Sequence, residues 1–265
     1  APPACLSSPM FQSRLLLLVL LLCATVAAAA HEEDRGEAEP PLGLTADERD
    51  FIRTVPVVRV HYGAVEPFIS SGDRGAPTGY AAELLNRLAG RAGLSLSWHE
   101  VGVDRALEDL HAGRADLVPN VLWTPARAEH LLFSERSYDV RLMIFGRRGR
   151  DIPDLAALRG KVVAGSPHYA VTHALREGWP AVKRLDVAGL EESLIAVSMG
   201  EADAAILPLQ IGPTLLAKHF ITNVEIVGEA DGLFGASGPR AHQFAVRSDL
   251  PALRSMLDQA YRTLD

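Results

Sequence analysis

The segment "AGRADLVP" (112–119) returns later in the chain as "MGEADAAILP" (199–208). Each copy closes a helical pattern on a glycine, Gly113 or Gly200. Each then sets an aspartate, Asp116 or Asp203, at the turn, and continues as an apolar strand that meets a proline. Glycine suits the left-handed residue that ends a helix. The echo predicts two lobes built on one plan. Ordinary turn chemistry could write the same few residues, so the flanking sequence has to decide.

Upstream of the first copy, "VVRVHYG" (57–63) is β-rich and bounded by Pro56 and Gly63. "GYAAELLNRLAGRAGL" (79–94) carries apolar Tyr80, Leu84, Leu85 and Leu88 at helical spacing, with Gly90 and Gly93 as stops. "LSLSWHEV" (94–101) alternates as a strand does, and "VDRALEDLHAG" (103–113) reads as a short helix. The order is β-α-β-α-β, an α/β lobe. Around the second copy, "LRGKVVAGS" (158–166) is a strand opening onto the helix "SPHYAVTHALREG" (166–178). "VKRLDVA" (182–188) is a strand, and "LEESLIAVSMG" (190–200) a helix. Between the halves, "RLMIFGRRGRDIPDL" (141–155) reads as a strand followed by a charged crossover. At the far end, "HQFAVRSDLPALRSMLDQAYRTL" (242–264) is a strand, a turn and a terminal helix, and the strand should return to one of the sheets. The expected architecture is α/β, two lobes joined by two crossing strands. Residues 56–146, with 235–265 returning, form the first lobe, and residues 147–234 form the second. Such lobes leave a cleft between them, the usual place for a small ligand.

The N-terminal region is expected not to join this fold. "FQSRLLLLVLLLCATVAAAA" (11–30) has one cation, Arg14, then an apolar run, then small residues. That is the layout of a secretory signal peptide, with cleavage after Ala30. An uncleaved anchor is the other reading, which the short apolar run and the Ala-x-Ala ending disfavour. Met10 stands where a natural start would, which makes "APPACLSSP" upstream sequence. Residues 1–30 are thus leader, and the mature protein is expected to be exported. Cys23 follows Leu22, so no lipid anchor is expected. Both cysteines, Cys5 and Cys23, precede the cleavage point, which leaves no disulfide. "HEEDRGEAEPPLG" (31–43) is acidic and apolar-poor, and residues 31–55 read as linker and lead-in. The net charge of −7, without basic blocks, excludes nucleic acid as a partner.

No catalytic signature is present. Gly-x-Ser-x-Gly, His-Glu-x-x-His and the phosphate-binding Gly-x-x-x-x-Gly-Lys are all absent. The nine histidines are scattered, and only His168 and His173 are close, at a spacing that splits them between helical faces. Neither a metal site nor a cofactor is expected. One position breaks a local rule. In "TPARAEH" (124–130), Thr124 can cap a helix and Pro125 suits its first position. The third position, where a capping box places Glu or Gln, holds Arg127. A cation there costs about 0.3–1 kcal/mol. Either Arg127 pairs with Glu129 or Glu135 at the surface, or it serves an anionic ligand. The corresponding turn of the second lobe, Gly165-Ser166-Pro167-His168, is either an ordinary capped helix start or a ligand-binding turn.

The ordered elements "TGYAAELLNRLAGRAGL" (78–94), "LEDLHAGRADLVPNVLWTPARAEHLLFSERSY" (107–138) and "SLIAVSMGEADAAI" (193–206) resemble the periplasmic solute-binding proteins of family 3, the Venus flytrap fold. The likeness covers nearly all of residues 56–264. It implies a two-lobed hinge protein closing on a small solute. In its amino-acid binders the arginine of Thr-x-x-Arg grips the ligand carboxylate. That role maps to Arg127, with Thr124 beside it, and the second-lobe turn maps to Gly165 and Ser166. Tyr62, Glu66, Asn120, Trp123, His168 and Gln210 fall near positions that could line the cleft.

The departures shape the expected ligand. A hydroxyl usual before the threonine is Leu122 here. The carboxylate that would hold an ammonium falls on Pro208, and Gly79-Tyr80 is followed by Ala81-Ala82 in place of an aspartate. A small carboxylate without an ammonium fits better than an α-amino acid, as does a domain that needs no ligand at rest. "LTADERDFIRTVPVVRV" (44–60) is similar to the lead-in of flytrap input domains of membrane-bound sensor histidine kinases. The abrupt end in "LRSMLDQAYRTLD" suggests a longer receptor. The expected role is therefore a sensory input domain, partnered by its own downstream transmembrane signalling region. The alternatives are a soluble binding protein partnered by an ABC permease and, least favoured, an enzyme on this fold.

Overall fold

The computed structural model describes residues 42–72, 76–135, 138–235 and 241–264. The expected leader and the linker up to Pro41 lie outside the described residues. The lead-in does not stay irregular. Residues Ala46–Thr54 form helix α1. Its start is a reciprocal capping box: Glu48 N–H donates to Thr45 Oγ1 at 3.3 Å, and Thr45 N–H donates to Glu48 Oε2 at 2.7 Å. The sequence Thr-Ala-Asp-Glu was the signal for it.

The first lobe continues with β1 (Val58–Tyr62), α2 (Tyr80–Ala92), β2 (Leu96–Glu100), α3 (Val103–His111) and β3 (Leu117–Leu122). The short α4 (Pro125–Ala128), β4 (Leu131–Phe133) and β5 (Tyr138–Asp139) follow. Gly93, in the left-handed conformation, ends α2, whereas Gly90 lies inside the helix. The chain then enters the second lobe as β6 (Leu142–Arg147). A 3₁₀ turn (Ala156–Leu158), β7 (Val162–Gly165), α5 (Ala170–Gly178), β8 (Lys183–Asp186) and α6 (Leu190–Met199) come next. β9 (Ala204–Pro208), α7 (Ile211–Lys218) and β10 (Val224–Glu229) complete it. β11 (Ala241–Arg247) and α8 (Pro251–Arg262) return to the first lobe.

The first sheet runs β2-β1-β3-β11-β4, with β5 also on β11, and the second runs β10-β6-β9-β7-β8. The result is the two-lobed α/β architecture expected from the sequence. Each lobe has a parallel trio (β2-β1-β3, β8-β7-β9) and one antiparallel strand from a crossing, β11 or β6, beside the last of the trio. The strand 142–147, placed with the first lobe from sequence, is paired inside the second sheet, so the change of sheet falls before Leu142. β5 and β11 lie side by side, Tyr138 opposite His242, so both crossings run together where the lobes meet.

The repeated Gly-x-Ala-Asp has a definite job. Gly113 follows α3 at φ 72°, and Gly200 ends α6 at φ 87°. In the first lobe, Asp116 N–H donates to Arg59 O at 2.9 Å, while the Asp116 carboxylate accepts Arg59 N–H at 2.9 Å. In the second, Asp203 N–H donates to Val162 O at 2.8 Å, and its carboxylate accepts Val162 N–H at 2.9 Å. The same clamp therefore joins the first and third strands of each lobe. Among the described residues only the first-lobe copy is charge-reinforced. Arg59 Nε and Nη2 and Arg247 Nη1 also donate to Asp116. Burial pushes the Asp116 carboxyl up, but Arg59 and Arg247 hold it below the usual carboxylate range.

The first-lobe core gathers Val58, Val60, Leu85, Leu88, Phe244 and Met256 between sheet and helices, with Phe51 of α1 joining it. The second-lobe core centres on Phe145, Leu194 and Leu207 on one face and Ile144, Val163 and Ile206 on the other. Gly212 is needed beneath Phe145, whose ring would stand 2.0 Å from an added Cβ.

Truncating a buried, charge-paired acceptor strands its partners. Asp116→Ala should lower unfolding stability by about 2–4 kcal/mol. Asp203→Ala, which loses one backbone bond, should cost about 1 kcal/mol. Urea titrations followed by circular dichroism check the order; equal losses would mean that the arginines add nothing.

Candidate functional site

The site is built on the end of β3. Gln243 opposes Val121 and Ala245 opposes Val118, so the pair Pro119-Asn120 faces the single residue Phe244. This bulge puts Asn120 at φ 60°, a conformation asparagine adopts more readily than most residues. The side-chain Oδ1 of Asn120 is shielded from solvent and has no hydrogen-bond partner among the described residues.

Beyond β3, Thr124 caps α4 as expected, its Oγ1 accepting Arg127 N–H at 3.3 Å, with Pro125 at the first helical position. The Arg127 guanidinium folds back, and Nη1 donates to Leu122 O at 2.8 Å. The surface pairing considered for it does not form. Glu135 binds Arg262 at 2.5 Å, and Glu129 faces His130 at 4.0 Å. Among the described residues no carboxylate oxygen comes within 4.0 Å of Arg127. Burial depresses its pKa, partly offset by Tyr169 and Asp104.

The second-lobe wall differs from expectation. Ser166 does not cap α5. A turn closed by Tyr169 N–H donating to Ser166 O at 3.1 Å intervenes, and the helix begins at Ala170 with Tyr169 as its N-cap residue. Gly165 and Ser166 line a separate void of about 10 Å³ inside the second lobe, next to Thr172 and Ser193. Tyr169 lines that void too and, unlike Gly165 and Ser166, also reaches the cleft, its phenol pushed up to about 12, chiefly by burial.

The lobes stand closed on each other. Phe68 and Ala81 of the first join Met143, Phe145, Leu207 and Ile211 of the second in one apolar cluster. Phe68 also stacks on Tyr138 at 4.4 Å, and Lys218 meets Glu66 at 3.3 Å across the gap. A cavity of about 60 Å³ remains between them. Asn120, Arg127, His168, Tyr169, Pro208 and His242 reach it, and Leu122, Val140 and Leu142 supply apolar wall. Outside it opens a groove of about 1,120 Å³ that shares Asp104, Arg127 and His168 with the cavity and adds Trp123, Thr124, Glu108 and Glu177.

Of the residues singled out from the sequence, Asn120, Arg127 and His168 meet at the cavity, and Thr124 and Trp123 lie in the outer groove. Tyr62 is buried core, its ring edge-on to Trp98 and its hydroxyl 3.4 Å from Glu100. Gln210 is exposed at the start of α7 and lines neither space. Among the described residues no group of three His, Cys, Asp or Glu is arranged to hold a metal ion.

Sequence reading missed Tyr169 and His242. His242 is 5% exposed on β11, edge-on to Phe68 and Tyr138, and its Nδ1 has no partner among the described residues. Burial, then the charge of Arg127, pulls its pKa down to about 3, so it is a neutral imidazole. Its only signal was its place at the head of the returning strand.

Two α/β lobes joined by paired crossings, with polar groups converging between them, define a hinged solute-binding protein. The chain belongs to the bacterial extracellular solute-binding proteins, family 3, whose pattern matches residues 58–265. It is 25% identical over 185 residues to the sensor protein EvgS of Escherichia coli K12; the match covers 69% of this chain and only 15% of EvgS. It is 26% identical over 206 residues to the amino-acid-binding protein AabA of Dichelobacter nodosus, covering 76% of this chain and 79% of AabA. The crystal structure of the periplasmic VFT2 domain of Bordetella pertussis BvgS superposes with a TM-score of 0.74 at 24% identity, covering 84% of this chain and 94% of that domain.

The His242 shift has a measurable consequence. Its folded pKa lies below the unfolded value near 6.5, so the unfolded chain takes up a proton that the folded one refuses. Stability must fall as pH drops through about 6.5 and continue falling toward 3. Between pH 7 and 5 this residue should account for a loss of about 2 kcal/mol. His242→Phe, which suits the aromatic surroundings, should shrink the wild-type loss by that amount in urea titrations at pH 5, 6 and 7. An unchanged pH dependence would show that His242 is not held neutral.

Proposed function

We propose that this chain is the periplasmic input domain of a transmembrane signalling receptor and binds a small carboxylate in the interlobe cleft. The observation that carries the ligand class is Arg127. Its guanidinium is half-buried at the cavity and held by Leu122 O, and among the described residues it forms no ion pair, Asp104 acting on it only from a distance. A desolvated cation left in that state is costly, and a bound anion with a planar carboxylate would offset the cost through charge-assisted hydrogen bonds. Pro208, where an ammonium-binding carboxylate would stand in an amino-acid site, lines the same cavity as an apolar group. That weighs against an α-amino acid.

Two observations support the sensory role. The similarity to EvgS is to a sensor protein. The lead-in is a folded part of the first lobe, with Gln259 of α8 donating to Glu48 of α1 at 2.7 Å. Helices α1 and α8 share the first-lobe core, so a change in cleft closure would shift the second lobe against both. The similarity to AabA, most of whose length is covered, favours the second reading: a soluble binding protein of an amino-acid-type ABC transporter. Deletion that abolishes uptake of a carboxylate without altering any phosphorylation response would select that reading.

Calorimetry against a panel of small carboxylates tests the ligand class. Arg127→Ala should weaken binding by about 30- to 1,000-fold, equivalent to about 2–4 kcal/mol. Arg127→Lys, which keeps the charge but loses the fork, should recover part of it. Equal affinity in wild type and Arg127→Ala would remove Arg127 as the anchor.

A further inference from the structure

Asn120 Oδ1 and His242 Nδ1 are both buried, both without a hydrogen-bond partner among the described residues, and both belong to residues lining the same cavity. Adjoining strands bring them there. Leu122 opposes His242 and Val121 opposes Gln243, with Asn120 next along β3. Arg127 is tied to the carbonyl of Leu122, the cross-strand partner of His242. A cation and two orphaned neutral groups therefore converge on one enclosed space. Buried polar atoms without partners are rare in folded proteins and imply something that completes them.

The chemistry of the completing group is constrained. An ammonium would lie beside Arg127, with Pro208 and Leu122 offering no countercharge. The carboxylate of Asp104 is exposed at the mouth, where water screens it. The inner groups are a neutral amide, a neutral imidazole and the phenol of Tyr169, none of them charged. If the amide presents oxygen, it needs a donor; turned by half a rotation, it presents a donor. The imidazole nitrogen donates or accepts according to tautomer. A hydroxyl does both at once, giving its proton to one partner and accepting from the other. A keto oxygen only accepts, and a methylene does neither. The cavity, about 60 Å³ against the roughly 10–15 Å³ that holds one water, suits a molecule of about three carbons.

With Arg127 holding the carboxylate, as proposed for this cleft, we infer that the cavity selects a small 2-hydroxy carboxylate, its hydroxyl shared between Asn120 and His242. Calorimetry on the 265-residue chain at pH 7 tests this with a matched series: each enantiomer of lactate, then pyruvate, propionate and alanine. One lactate enantiomer should bind tightest, pyruvate about tenfold more weakly, and propionate about 10- to 100-fold more weakly. His242→Phe and Asn120→Ala, each checked for folding by circular dichroism, should bring the lactate-to-propionate ratio within about threefold. His242→Gln, which keeps a hydrogen-bonding group, should restore part of it. If lactate and propionate bind equally and both need Arg127, the hydroxyl selection fails while the carboxylate site stands. If alanine binds tighter than lactate, the cleft is an amino-acid site and the inference is overturned. If no member of the series binds, both readings fall.

Discussion

Each lobe depends on one aspartate placed where a helix turns into the third strand. Parallel strands cannot be joined by a tight hairpin, so something must set the level at which the first and third strands begin. Asp116 and Asp203 do this by exchanging hydrogen bonds with the backbone of Arg59 and Val162. The glycine before each lets the helix stop in the left-handed conformation, so that the aspartate arrives facing the first strand. Everything downstream follows from that level: where β3 and β9 run, where they end, and hence where Asn120 and Pro208 meet across the cleft.

The two clamps are alike in backbone and unlike in charge. Asp116 collects Arg59 from the first strand and Arg247 from the returning strand β11. The first lobe thus ties its N-terminal half to a segment from the far end of the chain. The second lobe is continuous in sequence, and among the described residues Asp203 has no such reinforcement. A lobe assembled from two distant pieces has more chain entropy to overcome, and an ionic tie between those pieces opposes it directly.

The closed cleft brings together groups that would be unremarkable apart. Arg127 at an open helix start would be one surface cation among many. With Phe68 packed into the second-lobe cluster and Tyr169 facing it, it loses water and lowers its own pKa. Its field then adds to burial in keeping His242 neutral. Burial dominates the electrostatics of Tyr169 and His242, and the half-buried cation adds to it at His242 and opposes it at Tyr169.

The sequence by itself determined the fold class, because period, caps and the Gly-x-Ala-Asp echo are local signals carried by neighbouring residues. It also marked Arg127, since a cation in a first helical turn breaks a local rule without visible compensation. It did not reveal that 142–147 joins the second sheet, since a strand's partners are chosen by packing and not by its own residues. Ser166 looked like a cap on propensity alone, but the turn to Tyr169 displaced the helix start and turned a different residue toward the cleft. Tyr62 and Gln210 went to the core and to the surface for the same reason: spacing along a strand or helix does not say which face meets the other lobe. His242 and Asn120 became a pair only through the bulged register of β3 on β11, between positions more than a hundred residues apart. Such contacts depend on which strands the whole chain brings side by side, and only the tertiary structure decided them.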